Sequence, residues 1–152
     1  MFRGESTLNV DSKGRVAVPA RYREQLDVLC DGKLIVTISL LQRCLTVYPS
    51  PDWQRIEDDL KRLPALDQKA QSIRHLLIGH ASDCDLDSQG RILLPQSLRD
   101  FASLDKRVKM VGQASKFELW DEDAWSAHRE DLLGRVGELL SEPSAALSEL
   151  VL

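Results

Sequence analysis

Little in this chain supports catalysis, export or membrane insertion. Its 152 residues include three cysteines, Cys30, Cys44 and Cys84. An odd number with no C-x-x-C spacing argues against a disulfide framework and points to a reducing compartment. No apolar run reaches the roughly 18 residues that a membrane span requires, and the opening MFRGESTLNV has no signal-peptide core. The expected location is therefore cytoplasmic, with no membrane partner. Also missing are a G-x-S-x-G elbow, a glycine-rich phosphate loop and an H-E-x-x-H pair. His75, His80 and Cys84 are close in sequence, but at that spacing the two histidines fall on different faces of a helix. No enzyme, metal, cofactor or small-molecule substrate is expected.

An excess of positive charge is missing too, since the net charge is −4. That total counts against nucleic acid, but its distribution does not. Residues 1–30 carry five basic and four acidic side chains, whereas residues 121–152 carry two basic and eight acidic ones. A polyanion would approach the first region and be repelled by the second. An oligomer that sums several local basic patches can bind DNA despite a negative total.

What the chain does contain is a unit written twice. DSKGRVAVP, Asp11 to Pro19, returns as DSQGRILLP, Asp87 to Pro95. Val16 matches Ile92, Val18 matches Leu94, and Arg23 against Arg99 carries the match past the proline. A second block follows in each copy, LTVYPSPDW from Leu45 and FELWDEDAW from Phe117, after a loop four residues shorter in the second copy. Each copy, at about 50 residues, is too small to hold a core alone, so the two are expected to share one. The 43% of hydrophobic residues suffices for that.

Alternation of Leu8, Val10, Val16 and Val18 around Ser12-Lys13-Gly14 predicts strand, tight turn, strand, and Leu86, Ile92 and Leu94 repeat it around Ser88-Gln89-Gly90. Each glycine supplies the positive φ such a turn needs, and the aspartate can bond back to nearby amides. Pro19 and Pro95 should open short helical turns. Strands are predicted at Leu34–Ser39, Cys44–Tyr48, Val108–Val111 and Phe117–Trp120. Helices follow: one from Asp52, with Trp53, Ile56, Leu60 and Leu63 on one face and a break at Pro64; one from Asp67 to about Gly79, with Ala70, Ile73, Leu76 and Leu77 buried; and one from Ala124 to Leu140. After Pro143 an apolar-striped tail holds Leu147, Leu150, Val151 and Leu152. Trp53, Trp120 and Trp125 sit at core spacing and are expected to anchor the interior, not to stack on bases.

The element D-x-x-x-R, Asp11 to Arg15 and Asp87 to Arg91, places a carboxylate and a guanidinium within reach across a turn, where they can pair, even bidentately. The aspartates and glycines, Asp11, Gly14, Asp87 and Gly90, read as turn support. Arg15, with Lys13 and nearby Arg3, reads either as a brace or as a contact to phosphate or a guanine edge. Arg21 and Arg23, on the helix after Pro19, read as surface salt-bridge formers or further contacts.

The blocks MFRGE-x-x-LNVDSKGRVAVPARYR, RHLLIGHASDCDLDSQGR from Arg74, and VGQASKFELWD from Val111 resemble the MraZ family of bacterial transcriptional regulators, over nearly the whole chain from Met1 to about Trp125. That family is itself similar to AbrB-type regulators and MazE antitoxins. The resemblance implies a mainly β fold with α-helices, two tandem swapped-hairpin AbrB-like repeats forming one double-split β-barrel flanked by helices. In this chain the first repeat would span residues 5–51, a helical connection 52–80, the second repeat 81–124 and a C-terminal helical segment 125–152. It also implies a cytoplasmic, nucleoid-associated repressor that binds double-stranded DNA at short G-rich direct repeats, in the promoter of the division and cell-wall gene cluster, as a ring-like homo-oligomer. DNA contact would fall to Arg3, Lys13, Arg15, Arg21 and Arg91. Residues 81–105 carry five acidic and two basic side chains, and Gln89 replaces the lysine. The first copy is therefore expected to dominate the contact. The alternative is an AbrB/MazE-type module acting through a protein partner, for which the C-terminal segment is too short and too patterned to be a disordered binding arm.

Overall fold

The computed structural model describes residues 1–141 and 144–152, so Pro143, after which the apolar-striped tail begins, lies outside the described residues. Two compact units emerge, Met1–Glu122 and Asp123–Leu152. The first unit runs β1 (Glu5–Asn9), β2 (Arg15–Ala17), α1 (Ala20–Cys30), β3 (Leu34–Ile38), β4 (Leu45–Pro49), α2 (Ser50–Arg62), α3 (Gln68–Leu77), β5 (Ser82–Asp83), β6 (Arg91–Leu93), α4 (Gln96–Phe101), β7 (Arg107–Gly112) and β8 (Phe117–Asp121). This is a mixed α/β fold built on antiparallel sheet.

Strand, turn and strand are present at the first copy; at the second, the strand before the turn is only β5, and Leu86 lies outside it, while in each copy the two strands join different sheets. β1 pairs antiparallel with β7, Glu5 opposite Val111 and Asn9 opposite Arg107. β2 instead pairs with β6, Val16 opposite Ile92. One six-stranded sheet results, in the order β1-β7-β8-β4-β3-β5, with a separate two-stranded ribbon of β2 and β6. The expected closed barrel is not seen among the described residues, because this ladder ends at β1 and β5. Alternation dictates which face of a strand is buried, not which strand lies beside it.

The ribbon shows how the shared core is made. Val16 and Ile92 point inward and are 1% and 0% exposed, while Arg15, Ala17, Arg91 and Leu93 alternate outward. Val18 and Leu94 follow them into a cluster that includes Leu8, Leu34, Val36, Val47, Val108, Met110, Phe117 and Leu119. Burial of each such side chain contributes about 1.5–3 kcal/mol, and neither copy could supply the cluster alone.

The helices depart from expectation in detail. Pro19 and Pro95 sit one residue before their helices, and α1 runs to Cys30, well beyond a single turn. α2 begins at Ser50, two residues ahead of Asp52, and stops where Leu63, preceding Pro64, turns extended at ψ 146°. Asp67 caps α3, its Oδ1 accepting the Ala70 amide at 2.9 Å. Ala70 is buried there, but Leu63 and Leu76 are each 40% exposed. Trp53 and Trp120 are buried, donating from Nε1 to Glu57 at 2.7 Å and to Glu118 at 3.0 Å.

The second unit is helical. The stretch read as one helix is two, α5 (Glu122–Gly134), which begins at the end of the first unit, and α6 (Val136–Ser141), interrupted at Arg135 between Gly134 and Gly137, both poor helix formers. Trp125 is half-buried, not a core anchor, because neither helix buries a residue fully. A short 3₁₀ turn covers Ala145–Leu147, and Leu150, Val151 and Leu152 are exposed. No helix among the described residues is long and apolar enough to cross a membrane.

Candidate nucleic-acid interface

The turn between β1 and β2 is closed by its own aspartate. Asp11 Oδ1 accepts the backbone amides of Lys13 and Arg15, both at 2.9 Å, and Asp11 Oδ2 accepts Arg15 Nε at 2.6 Å. The main chain adds Gly14 N to Asp11 O at 3.0 Å and Asp11 N to Arg15 O at 2.9 Å. Gly14 has φ +86°, a conformation that costs other residues dearly. Hydrogen bonds to its ionised form hold the Asp11 carboxyl down to about 2, with the Arg15 amide first and the Arg15 guanidinium and Lys13 amide adding to it against partial desolvation. The carboxylate is thus absorbed by the turn.

The second turn repeats this geometry. Asp87 Oδ1 accepts Gln89 N at 2.8 Å and Arg91 N at 2.9 Å, Oδ2 accepts Arg91 Nε at 3.1 Å, and Gly90 has φ +73°. Asp87 is likewise held below the ordinary carboxylate range, chiefly by the Arg91 amide. In neither turn do aspartate and arginine form a two-pronged side-chain pair. One oxygen faces the guanidinium Nε while the other serves the backbone.

Each turn is also covered by an arginine from the other copy. The guanidinium of Arg99, in α4, lies against Gly14 so closely that a Cβ there would stand 2.7–2.8 Å from its atoms; Arg23, in α1, does the same to Gly90 at 2.3–2.6 Å. Both are anchored through Nε, Arg99 to Leu94 O at 3.0 Å and Arg23 to Val18 O at 2.7 Å. Sequence reasoning paired Arg23 with Arg99 but assigned neither this role. The only signal was their recurrence in register, and nothing in it says that each reaches across to the other copy.

The candidate contact residues fall into two groups. Lys13, Arg15 and Arg91 belong to the turns and to the outward face of the ribbon; Lys13 is exposed and pairs with no carboxylate among the described residues. Arg3 and Arg21 lie at the far end of β1. Arg21 donates to Ser6 Oγ at 2.9 Å and stacks over the Tyr22 ring at 4.6 Å, and a Cβ on Gly4 would stand 3.8 Å from it. Tyr22, in turn, donates its hydroxyl proton to Arg3 O. Asp11 follows Ser6 by five residues of extended chain, about 17 Å. Arg21 and the N-terminal arm also border a groove of about 840 Å³ that includes Phe2, Val28 and Leu29.

Outside this surface the polar chemistry is subdued. Cys44 and Cys84 are buried, and desolvation pushes their thiols up to about 12 and about 11; Cys30 is raised by the same cause. His80 Nδ1 stands 2.7 Å from Leu76 O, and no cluster among the described residues has the make-up of a metal site.

Residues 1–75 and 77–134 match the family described as "MraZ protein, putative antitoxin-like". A protein of Thioalkalivibrio sulfidiphilus (strain HL-EbGR7) named Transcriptional regulator MraZ is 51% identical over 152 residues, covering 100% of both chains. Proteins of the same name are 53% identical over 133 residues in Alkalilimnicola ehrlichii, covering 88% of this chain and 89% of that one, and 52% identical over 130 residues in Pseudomonas aeruginosa (strain LESB58), covering 86% of each.

Proposed function

The chain belongs to the MraZ family, and from that premise we propose that it is a sequence-specific DNA-binding transcriptional regulator whose contact surface centres on the first turn. The observation that carries this reading is the turn itself. Its acidic residue is spent on backbone amides and on Arg15 Nε, while Lys13 projects into solvent and the guanidinium of Arg15 keeps further donors for a phosphate or a guanine edge. Arg91 adds charge on the same ribbon face, and Arg3 and Arg21 flank it at the other end of β1. The full name borne by the relatives accords with this role.

The finer proposal is a repressor, nucleoid-associated in the cytoplasm, that recognises short G-rich direct repeats upstream of the division and cell-wall gene cluster. We read the exchange of β2 and β6 between copies as the swapped-hairpin arrangement of AbrB-like folds, with sheet and ribbon as walls of a split barrel. A few cationic contacts per subunit give weak, salt-sensitive binding, so a ring-like homo-oligomer spanning several repeats supplies the avidity. A gel shift on the chain's own upstream region tests this, comparing wild type with Arg15→Ala and checking both by light scattering. The wild type should bind DNA with several repeats far more tightly than DNA with one, and Arg15→Ala should lose the shift while keeping its oligomeric state. Equal affinity for one repeat and for four would refute the avidity mechanism.

A further inference from the structure

The two copies are related by more than sequence. Val10 N donates to Lys106 O at 2.9 Å, and Leu86 N donates to Gly32 O at 2.9 Å. Leu94 N donates to Gly14 O and Val18 N to Gly90 O, again both at 2.9 Å. Arg99 covers Gly14 as Arg23 covers Gly90. These three correspondences superpose one turn environment on the other, and in that superposition Lys106 stands where Gly32 stands at the second turn.

A Cβ on Gly32 would meet Leu86 at 3.3 Å and Asp27 Oδ1 at 3.6 Å. Gly32 lines a pocket of about 160 Å³ together with Arg23, Asp27, Asp31, Gln89 and Gly90. At the first turn the corresponding hydrogen bond joins the Lys106 backbone to Val10, the residue before Asp11, and Lys13 occupies the place that Gln89 has at the second turn. Lys106 is exposed and has no carboxylate partner among the described residues, whereas the cations that follow it are engaged: Arg107 Nε with Glu122 at 2.9 Å and Lys109 Nζ with Glu5 at 3.4 Å. Asp105 precedes it, and the oxygens of Asp11 are already occupied.

We propose that Lys106 belongs to the duplex-contacting surface of the first turn, so that a site read as the property of one copy is built from both. The proposal rests on the DNA-binding reading of that turn. Lys106 and Lys13 supply two unpaired ammonium groups, with the Arg99 guanidinium behind them, each able to displace counterions from the phosphate backbone. The second turn has glycine and glutamine at the matching places and the carboxylate of Asp27 close by, while Asp31 there corresponds to Asp105 at the first turn.

The test uses the full-length protein and a duplex carrying its own upstream repeats, with affinity followed by fluorescence anisotropy across a salt series. Lys106→Gln is compared with Lys13→Gln and with Lys69→Gln, which makes the same change of charge on α3. Lys106→Gln should weaken binding several-fold and reduce the salt slope by about one per bound subunit, as Lys13→Gln does. Lys69→Gln should match wild type, Lys106→Arg should keep affinity, and all four variants should melt like wild type. Lys106→Gln behaving like Lys69→Gln while Lys13→Gln weakens binding overturns this inference alone. If neither Lys13→Gln nor Lys106→Gln alters binding, the DNA-binding reading of the turn falls as well.

Discussion

At the first turn Asp11 takes the amides of Lys13 and Arg15 at 2.9 Å and faces Arg15 Nε at 2.6 Å; at the second, Asp87 takes those of Gln89 and Arg91 at 2.8 and 2.9 Å and faces Arg91 Nε at 3.1 Å. Both glycines have positive φ, and both lie under an arginine of the opposite copy. Their surroundings differ in charge. The first turn displays Lys13, whereas the second displays Gln89 and has the Asp27 carboxylate close by; Asp87 and Asp31 have counterparts in Asp11 and Asp105. On the proposed reading one backbone device serves two ends: both turns hold the fold together, and the first is the one a polyanion approaches.

Removing the structural half of the device should have the largest effect. Ile92 faces Val16 across the ribbon and is fully buried, so Ile92→Ala should cost about 2–5 kcal/mol in denaturant unfolding, and the loss should be shared by both copies in one cooperative transition. Two separate transitions would break the idea of a common core. Gly14→Ala and Gly90→Ala come next. Each forces a side chain into the left-handed region against a guanidinium, and each should cost about 1–3 kcal/mol. The comparison sharpens if the two lose similar stability while only Gly14→Ala lowers DNA affinity in protein that is still folded.

A smaller effect concerns acid. Asp11 is held at about 2, below its ordinary 3.8, so the stability it lends is complete above about 3.8 and drains away as pH falls toward 2. Asp87, lowered in the same direction, should act alike. Thermal melts between pH 5 and pH 2 should show a decline that Asp11→Asn and Asp87→Asn each flatten. An unchanged profile in Asp11→Asn would mean that the carboxylate is not what fastens the turn.

Much of this was legible in the residues, though unevenly. The strands at Leu34, Leu45, Arg107 and Phe117 followed from apolar alternation, and the turns from Asp-Ser-x-Gly, because those signals are local. Which strand pairs with which was not: Leu8 and Val16 look the same to a pattern whether β1 and β2 pair with each other or with β7 and β6. The cover that Arg99 gives to Gly14 was hidden for the same reason, since it joins residues far apart in the chain. Trp125 misled because its spacing matched Trp53, yet it stands in a helix with no buried residues. At the candidate interface the residue types were readable, but their separation into a turn group and an N-terminal-arm group emerged only from the geometry. The place of Lys106 beside the first turn likewise depends on pairing between the copies.

The proposed division of labour between the turns is tested directly by exchanging the residue that distinguishes them. On a duplex carrying the chain's own upstream repeats, anisotropy titrations of Lys13→Gln and Gln89→Lys across a salt series should diverge. Lys13→Gln should lose roughly tenfold in affinity, about 1.4 kcal/mol, and flatten the salt dependence, while Gln89→Lys should stay within about twofold of wild type. Changes of equal size at the two positions, in protein shown to be folded, would contradict the account.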